Sequence, residues 1–256
     1  MPKYALKIEY TGSQFFGWQS QIGLPTIQGE IETALSNLDK NQPKLVGAGR
    51  TDAGVHALGQ VAHVNLSKNW DPFRLSEAIN FHLKPHPISI IRAAEVEKNW
   101  HARFSAINRH YIFKLVVRRA PLTHHRNLVW HIKHKLDWGL MQEGASFLVG
   151  THDFTTFRST LCQAQSPIRT IDSIEINKID IPNGVEYQFL FKARSYLHNQ
   201  IRSFVGTLER VGAGKWSPLE VNRALNAKSR PACGPVCTPN GLYLKEVIYS
   251  SDPFGH

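Results

Sequence analysis

The stretch Val46-Gly47-Ala48-Gly49-Arg50-Thr51-Asp52-Ala53-Gly54-Val55-His56 places a single carboxylate in a glycine-rich loop. Asp52 is the only acidic residue between Asp39 and Asp71, and Arg50 lies two residues before it. A stable core does not require this pair. A site that acts on an anionic polymer would use it, because the Arg stabilises the charge of the carboxylate and reduces its repulsion of phosphate.

Two common phosphate-binding patterns do not describe this loop. Gly47-x-Gly49-x-x-Asp52 has an Asp where a dinucleotide-binding fingerprint has its third glycine, and no helical pattern follows directly. The Gly-Lys-Ser/Thr ending of a P-loop is also missing. The loop therefore predicts either a tight backbone that presents Arg50 and Asp52 to a cleft, or a plain turn capped by an Asp.

Working outward from the loop, hydrophobic periodicity and capping residues predict an α+β fold. Helix starts are marked by Thr26, by Asp71-Pro72, by Asp137 and by a capping box at Ser217. The predicted strands cover residues 3–9, 61–66, 88–94, 111–117, 171–179, 185–193 and 242–249, and the predicted helices cover 26–38, 71–83, 137–148, 197–208 and 217–225.

This order of elements favours a mixed, mainly antiparallel central sheet with flanking helices. We expect two similar halves around a basic cleft. Residues 1–105 would carry the loop of Asp52, and residues 106–256 would complete the sheet and the cleft. The halves share an order of elements and no visible sequence repeat.

The charge of the chain indicates its partner. The 256 residues carry a formal net charge of +10. Residues 98–136 contain no Asp or Glu, but nine Lys or Arg and six His, with aromatic residues interleaved. Basic groups combined with aromatic faces suit phosphates and unstacked bases, so we expect a nucleic-acid partner rather than a merely basic surface.

Other features exclude several classes of protein. The N-terminus has no apolar signal core and no apolar run reaches about 18 residues, so we expect no membrane association and a cytoplasmic location. The odd count of three Cys argues against a disulfide framework. Cys233-x-x-x-Cys237 lacks a second pair of ligands, so we predict no metal.

Several segments together resemble the tRNA pseudouridine synthase A family. The most specific is Gly49-Arg50-Thr51-Asp52-Ala53-Gly54-Val55-His56, followed by Gly59-Gln60-Val61-Ala62-His63. The others, in chain order, are Glu9-Tyr10-Thr11-Gly12, Phe16-Gly17-Trp18-Gln19, Thr26-Ile27-Gln28-Gly29, His101-Ala102-Arg103-Phe104-Ser105-Ala106, Arg109-His110-Tyr111, Asp153-Phe154-Thr155-Thr156-Phe157-Arg158, Arg202-Ser203-Phe204-Val205-Gly206-Thr207-Leu208 and Gly241-Leu242-Tyr243-Leu244. The resemblance covers residues 4–249.

The resemblance implies an isomerase that converts uridine to pseudouridine without a cofactor. Asp52 would break the N-glycosidic bond, whether it attacks the base, attacks C1′ or removes a sugar proton. Arg50 or Arg202 would hold the carboxylate and fill the space of the flipped nucleotide. Tyr111 would stack on the uracil, and Leu244 would pack against it.

The family's substrate would be tRNA, at uridines 38–40 of the anticodon stem-loop, and a homodimer would let one tRNA span both subunits. A duplex or stacked base must be flipped out before it can be turned. The residues expected to contact the RNA backbone are His101, Arg103, Arg109, Arg158 and Arg169.

Two other classes of protein remain as alternatives. A non-catalytic RNA-binding protein would bind tRNA without isomerising it, and would have no use for a carboxylate among basic residues. A hydrolytic RNA enzyme, either a nuclease or a glycosidase, would cut the chain or release a base. Glycosidases generally use two carboxylates, and no second acid accompanies Asp52 in its segment.

Overall fold

The computed structural model describes residues 1–255, which form ten β-strands and five α-helices. The strands are β1 (Lys3–Tyr10), β2 (Val46–Gly47), β3 (His56–Asn65), β4 (Ile88–Val96), β5 (Ala106–Val117), β6 (Trp130–Ile132), β7 (Gly150–Asp153), β8 (Ile168–Ile181), β9 (Gly184–Ala193) and β10 (Leu242–Tyr249). The helices are α1 (Ile27–Ser36), α2 (Pro72–Leu83), α3 (Trp138–Ser146), α4 (Gln200–Gly212) and α5 (Pro218–Ala227).

The chain divides into two compact units. Unit 1 comprises Met1–Arg109 and the chain from Tyr243 on, and unit 2 comprises His110–Leu242. The predicted division at residue 105 into two halves around a cleft stays a prediction.

Unit 1 is built on antiparallel strands, with β1 between β3 and β4. The short strand β2 pairs antiparallel with β3, and β10 runs parallel to β3 with Tyr243 opposite His56. The helices of this unit begin as the sequence predicts. The Thr26 hydroxyl accepts a hydrogen bond from the Gly29 N–H at 3.2 Å, and the Asp71 carboxylate accepts one from the Arg74 N–H at 2.9 Å.

Unit 2 has the strand order β5-β9-β8-β7, and β6 lies parallel to β5. The long hairpin of β8 and β9 is antiparallel, as is the pair of β7 and β8. The core of this unit contains α4, whose Phe204 ring lies 5.3 Å from that of Phe154 and 5.1 Å from that of Phe157. The predicted α+β class with a mixed, mainly antiparallel sheet is therefore confirmed.

Several details differ from the sequence prediction. The strand predicted over 61–66 begins five residues earlier, at His56. The predicted helix from Leu197 begins only at Gln200, because Asn199 has a left-handed backbone with φ 62° and cannot continue a right-handed helix. The strand that contains Tyr111 begins earlier, at Ala106. The short strands β2, β6 and β7 were not predicted, because two to four residues are too few to show a period.

Candidate active site

Asp52 lies in the loop between β2 and β3. Its side chain is half-buried, while Arg50 is exposed. The Val55 N–H donates to the Asp52 carbonyl at 3.1 Å and Gly54 has φ +77°, so the chain turns sharply immediately after the carboxylate.

Residues 10–18, which comprise the last residue of β1 and the segment that follows it, hold this loop through three hydrogen bonds. A buried bond of 2.8 Å joins the Tyr10 hydroxyl to the Thr51 hydroxyl. The Trp18 N–H donates to the Thr51 carbonyl at 3.0 Å, and the Gly54 N–H donates to the Phe15 carbonyl at 3.3 Å. Asp52 is thus fixed from both sides by bonds to its neighbours.

Two glycines of that segment allow the close approach. A Cβ at Gly17, where φ is +92°, would lie 2.7 Å from the Thr51 carbonyl oxygen. A Cβ at Gly12 would collide with the carbonyl oxygen of Val55. Both glycines are therefore needed for the backbone of one loop to lie directly against the other.

Strand β3 supports the loop from its other side. The Ala48 N–H donates to the Val61 carbonyl at 2.7 Å, and the fully buried Gln60 donates through Nε2 to the Gly49 carbonyl at 2.9 Å. The first half of the loop is therefore continuous with the sheet.

His56 and β10 complete the surroundings of the loop. The fully buried His56 accepts the Gly12 N–H at Nδ1 at 3.2 Å, and its ring stacks on that of Tyr243 with centroids 4.5 Å apart. Leu244 follows, opposite Ala57 and fully buried.

Arg109 connects the loop to a second basic segment. One terminal nitrogen of its guanidinium donates to the Ala48 carbonyl at 2.9 Å and to the Arg103 carbonyl at 2.8 Å. These bonds join the base of the Asp52 loop to the turn at residues 101–105. The predicted contact of Arg109 with RNA stays a prediction.

The buried ring of His63 accepts a hydrogen bond from this turn in its neutral form. Burial, followed by the positive charges of His101 and Lys3, lowers the pKa of His63 to about 4. Its Nδ1 accepts the Ala102 N–H at 3.2 Å, and the His101 ring lies 4.7 Å away. The pKa of His101 is also lowered, mainly by burial, and His101 is half-buried while Arg103 is exposed.

Tyr111 of unit 2 lies on β5 and is half-buried. Its ring meets the ring of Tyr196 edge-on, with centroids 5.2 Å apart and an interplanar angle of 82°. Burial raises the pKa of Tyr196, and Tyr111 and Asp172 add to the shift. Tyr196 was not among the predicted site residues, although it lies in a stretch without acids, residues 187–208, that also holds Arg202.

Arg202, on the first turns of α4, is held by two hydrogen bonds. Its Nε donates to the Cys237 carbonyl at 2.8 Å, and one terminal nitrogen donates to Asn199 Oδ1 at 2.9 Å. In return the Cys237 N–H donates to the Arg202 carbonyl at 3.2 Å. Burial raises the pKa of the Cys237 thiol, so this Cys stays protonated and acts as a packing residue.

Arg158 and Arg169 are both half-buried and bond to nearby backbone. Arg158 donates to the Ala164 carbonyl at 3.5 Å. Arg169 lies on β8, where it pairs with His152 of β7, and donates to the Ser166 carbonyl at 3.0 Å. Their predicted contact with RNA stays a prediction.

The predicted residues thus fall into two sets. Unit 1 carries Arg50, Asp52, His101, Arg103, Arg109 and Leu244, and unit 2 carries Tyr111, Arg158, Arg169 and Arg202. Within residues 1–255, no group of three His, Cys, Asp or Glu side chains is placed to hold a metal ion. No described helix is both long and apolar enough to cross a membrane.

Chemically, the loop of unit 1 offers a carboxylate on a backbone held by hydrogen bonds, with an arginine two residues away. A carboxylate held in this way can act as a nucleophile or as a base. Because hydrogen bonds from several elements fix the backbone of the loop, little reorganisation of that backbone is needed when the carboxylate reacts.

Comparison with known proteins agrees with this interpretation. Residues 7–105 and 145–250 match the family model for tRNA pseudouridine synthase. Proteins named tRNA pseudouridine synthase A from Dinoroseobacter shibae and Cereibacter sphaeroides are each 58% identical over 254 residues, which cover 99% of this chain and 99% of theirs. The protein of that name from Paracoccus denitrificans is 58% identical over 257 residues, 99% of this chain and 98% of its own.

The family model covers most of the chain, and these relatives match it almost from end to end. The chain therefore belongs to the tRNA pseudouridine synthase family, which consists of isomerases that convert uridine to pseudouridine.

Proposed function

We propose that this chain isomerises uridines 38–40 in the anticodon stem-loop of tRNA, and that Asp52 begins the reaction. The observation that carries the proposal is the hydrogen-bonded loop that fixes Asp52 between the 10–18 segment and β3. The relatives named tRNA pseudouridine synthase A support the choice of tRNA.

The reaction requires no net change in composition. The N1–C1′ bond of uridine breaks, the uracil turns, and a C5–C1′ bond forms. The C5 proton is released and N1 regains a proton. An ionised, positioned carboxylate suffices to begin this exchange, and no cofactor enters the balance.

Other residues would position the nucleotide. Arg50 is exposed beside Asp52 and would occupy the space of the flipped nucleotide. Tyr111, oriented by the edge of Tyr196, would stack on the uracil, with Leu244 as an apolar neighbour. Arg202, held by Asn199, would meet the carboxylate or a phosphate.

The positive charge of the chain would provide the energy of flipping through phosphate contacts. The proposed contacts with the RNA backbone are His101, Arg103, Arg109, Arg158 and Arg169. We also propose a cytoplasmic homodimer in which one tRNA spans both subunits. Sedimentation of the protein with and without tRNA tests the dimer.

The function is tested by tritium release from tRNA labelled as [5-³H]uridine, with Asp52→Asn compared with the native protein. The exposed Asp71 is a matched control, because Asp71→Asn preserves the cap of α2. We expect release by the native protein and by Asp71→Asn, and none by Asp52→Asn, which should still bind tRNA. Chemical mapping of pseudouridine then identifies the positions modified.

Three outcomes would contradict the proposal. Equal release by the native protein and Asp52→Asn would remove Asp52 from the mechanism. Binding of tRNA without release by any variant would favour a binding protein. A cut RNA chain or free uracil would favour a hydrolytic enzyme.

A further inference from the structure

The turn at residues 101–105 is closed by its own side chains. The Ser105 N–H donates to the His101 carbonyl at 2.9 Å, and the His101 N–H donates to the Ser105 hydroxyl at 3.0 Å. The Nδ1 of His101 accepts the N–H groups of Arg103 and Phe104 at 3.1 and 3.3 Å. Four hydrogen bonds within five residues leave the turn little freedom.

The same turn is tied to three other parts of unit 1. The Ala102 N–H donates to His63, and the Tyr249 hydroxyl donates to the Ala102 carbonyl at 2.7 Å. Arg109 donates to the Arg103 carbonyl while it also holds Ala48 of the Asp52 loop. Any group bound to this turn is therefore fixed relative to that loop.

This rigid turn displays a large aromatic ring to solvent. Phe104 is 74% exposed. The Arg103 guanidinium carbon lies over the Phe104 ring, 5.7 Å from its centroid, and the His101 ring lies 4.3 Å away at 34°. A single exposed Phe is ordinary on a protein surface, but this one stands on a turn that is already ordered, so binding to it would cost little conformational entropy.

We propose that Phe104, together with Arg103, is a stacking platform for an unpaired base of the RNA substrate. The identity of that RNA as tRNA rests on the proposed function. An aromatic face next to a guanidinium is the usual surface for a splayed base, because the ring stacks on the base and the cation meets the phosphate. In the sequence, Phe104 lies within residues 98–136, which contain no acid, and this fits an anionic ligand.

We expect that a second exposed Phe, Phe81, does not form such a platform. It is 69% exposed on α2, but Glu77 lies one helical turn before it, where a carboxylate would repel RNA. Phe81 is therefore a matched control for Phe104.

The test measures Kd for an unmodified tRNA and for a fully paired RNA duplex, with Phe104→Leu, Phe104→Trp and Phe81→Leu. We expect Phe104→Leu to weaken tRNA binding by about 10-fold and to leave duplex binding unchanged. Phe104→Trp keeps an aromatic face and should bind tRNA as the native protein does. Phe81→Leu should bind both RNAs normally.

The platform is refuted if Phe104→Leu binds tRNA within about twofold of the native protein. Equal weakening by Leu and Trp, or equal weakening on the duplex, would also refute it. Thermal melting of each variant identifies a loss that is due to misfolding. If Phe104→Leu is unstable, Phe104→Met, which also lacks an aromatic face, replaces it and is judged by the same thresholds.

Tritium release by the native protein separates the two proposals. If the native protein releases tritium and Phe104→Leu binds tRNA as tightly as the native protein does, the platform is refuted and the proposed function stays intact. If the native protein releases no tritium but Phe104→Leu shows the predicted loss of tRNA binding, the proposed function is refuted and the platform is supported.

Discussion

Gly47, at the end of β2, and Gly49, at the start of the Asp52 loop, are two residues apart but have different surroundings. A Cβ at Gly47 would lie 2.7 Å from the Trp18 indole, which is buried, whereas nothing lies within 4 Å of a Cβ at Gly49. We predict that Gly47→Ala lowers the free energy of unfolding by roughly 1–3 kcal/mol, the usual cost of overpacking. Gly49→Ala should change it by less than about 0.5 kcal/mol.

Denaturant unfolding of the two variants and the native protein measures this difference. Because both substitutions add one methyl group to the same segment, composition and sequence context are matched. Equal destabilisation would mean that the indole does not restrict Gly47.

At the scale of single residues, the sequence identified the Asp52 loop but not what holds it. Asp52, Arg50 and the glycines stood out because a carboxylate in a glycine-rich loop of a basic chain is unusual. The bond from Tyr10 to Thr51 joins residues 41 positions apart, so neither periodicity nor spacing indicates it. Tyr196 was missed for the same reason, since its orientation toward Tyr111 depends on tertiary packing.

At the scale of elements, the start of α4 positions Arg202. Asn199 has a left-handed backbone and its Oδ1 accepts from the Arg202 guanidinium. Asn199→Gly keeps the backbone conformation but removes the acceptor, and Asn199→Ala removes the acceptor and adds about 1 kcal/mol of backbone strain. We predict that both variants lower the rate of tritium release, by roughly 10-fold, and that Asn199→Ala is less stable than Asn199→Gly by about 1 kcal/mol.

Thermal melting and tritium release, measured on the same preparations, separate the two effects. Normal release by Asn199→Gly would mean that the bond to Asn199 does not position Arg202 for the reaction. Release that falls only in Asn199→Ala would assign the effect to folding.

The elements themselves were largely predictable where they are long and capped. Asp71-Pro72 begins α2 and the capping box of Ser217 and Glu220 begins α5, as the local sequence indicates. The predicted start of α4 was wrong because the apolar spacing continues back to Leu197, whereas the left-handed backbone of Asn199 interrupts the helix. Short strands such as β2 exist only through pairing with β3, a tertiary effect.

At the scale of the whole molecule, the order of the predicted elements indicated the α+β class and the charge indicated an anionic partner, but neither indicated the neutral His63. In the sequence His63 is one polar residue in an alternating strand. Only the structure places it 6% exposed, beside His101 and Lys3. Its titration therefore affects the stability of the fold, which no motif indicates.

We predict that the free energy of unfolding falls with decreasing pH between about 6.5 and 4, partly because of His63. Its pKa is lowered to about 4 in the folded chain. Below about pH 6.5, the unfolded chain binds a proton at this residue that the folded chain does not, so acid favours unfolding. The contribution is absent above that pH and reaches about 2 kcal/mol at pH 5. Denaturant unfolding at pH 7 and pH 5 should show a smaller loss for His63→Gln than for the native protein. His82→Gln, on the surface of α2, should lose as much as the native protein, and parallel pH curves for all three proteins would refute the linkage.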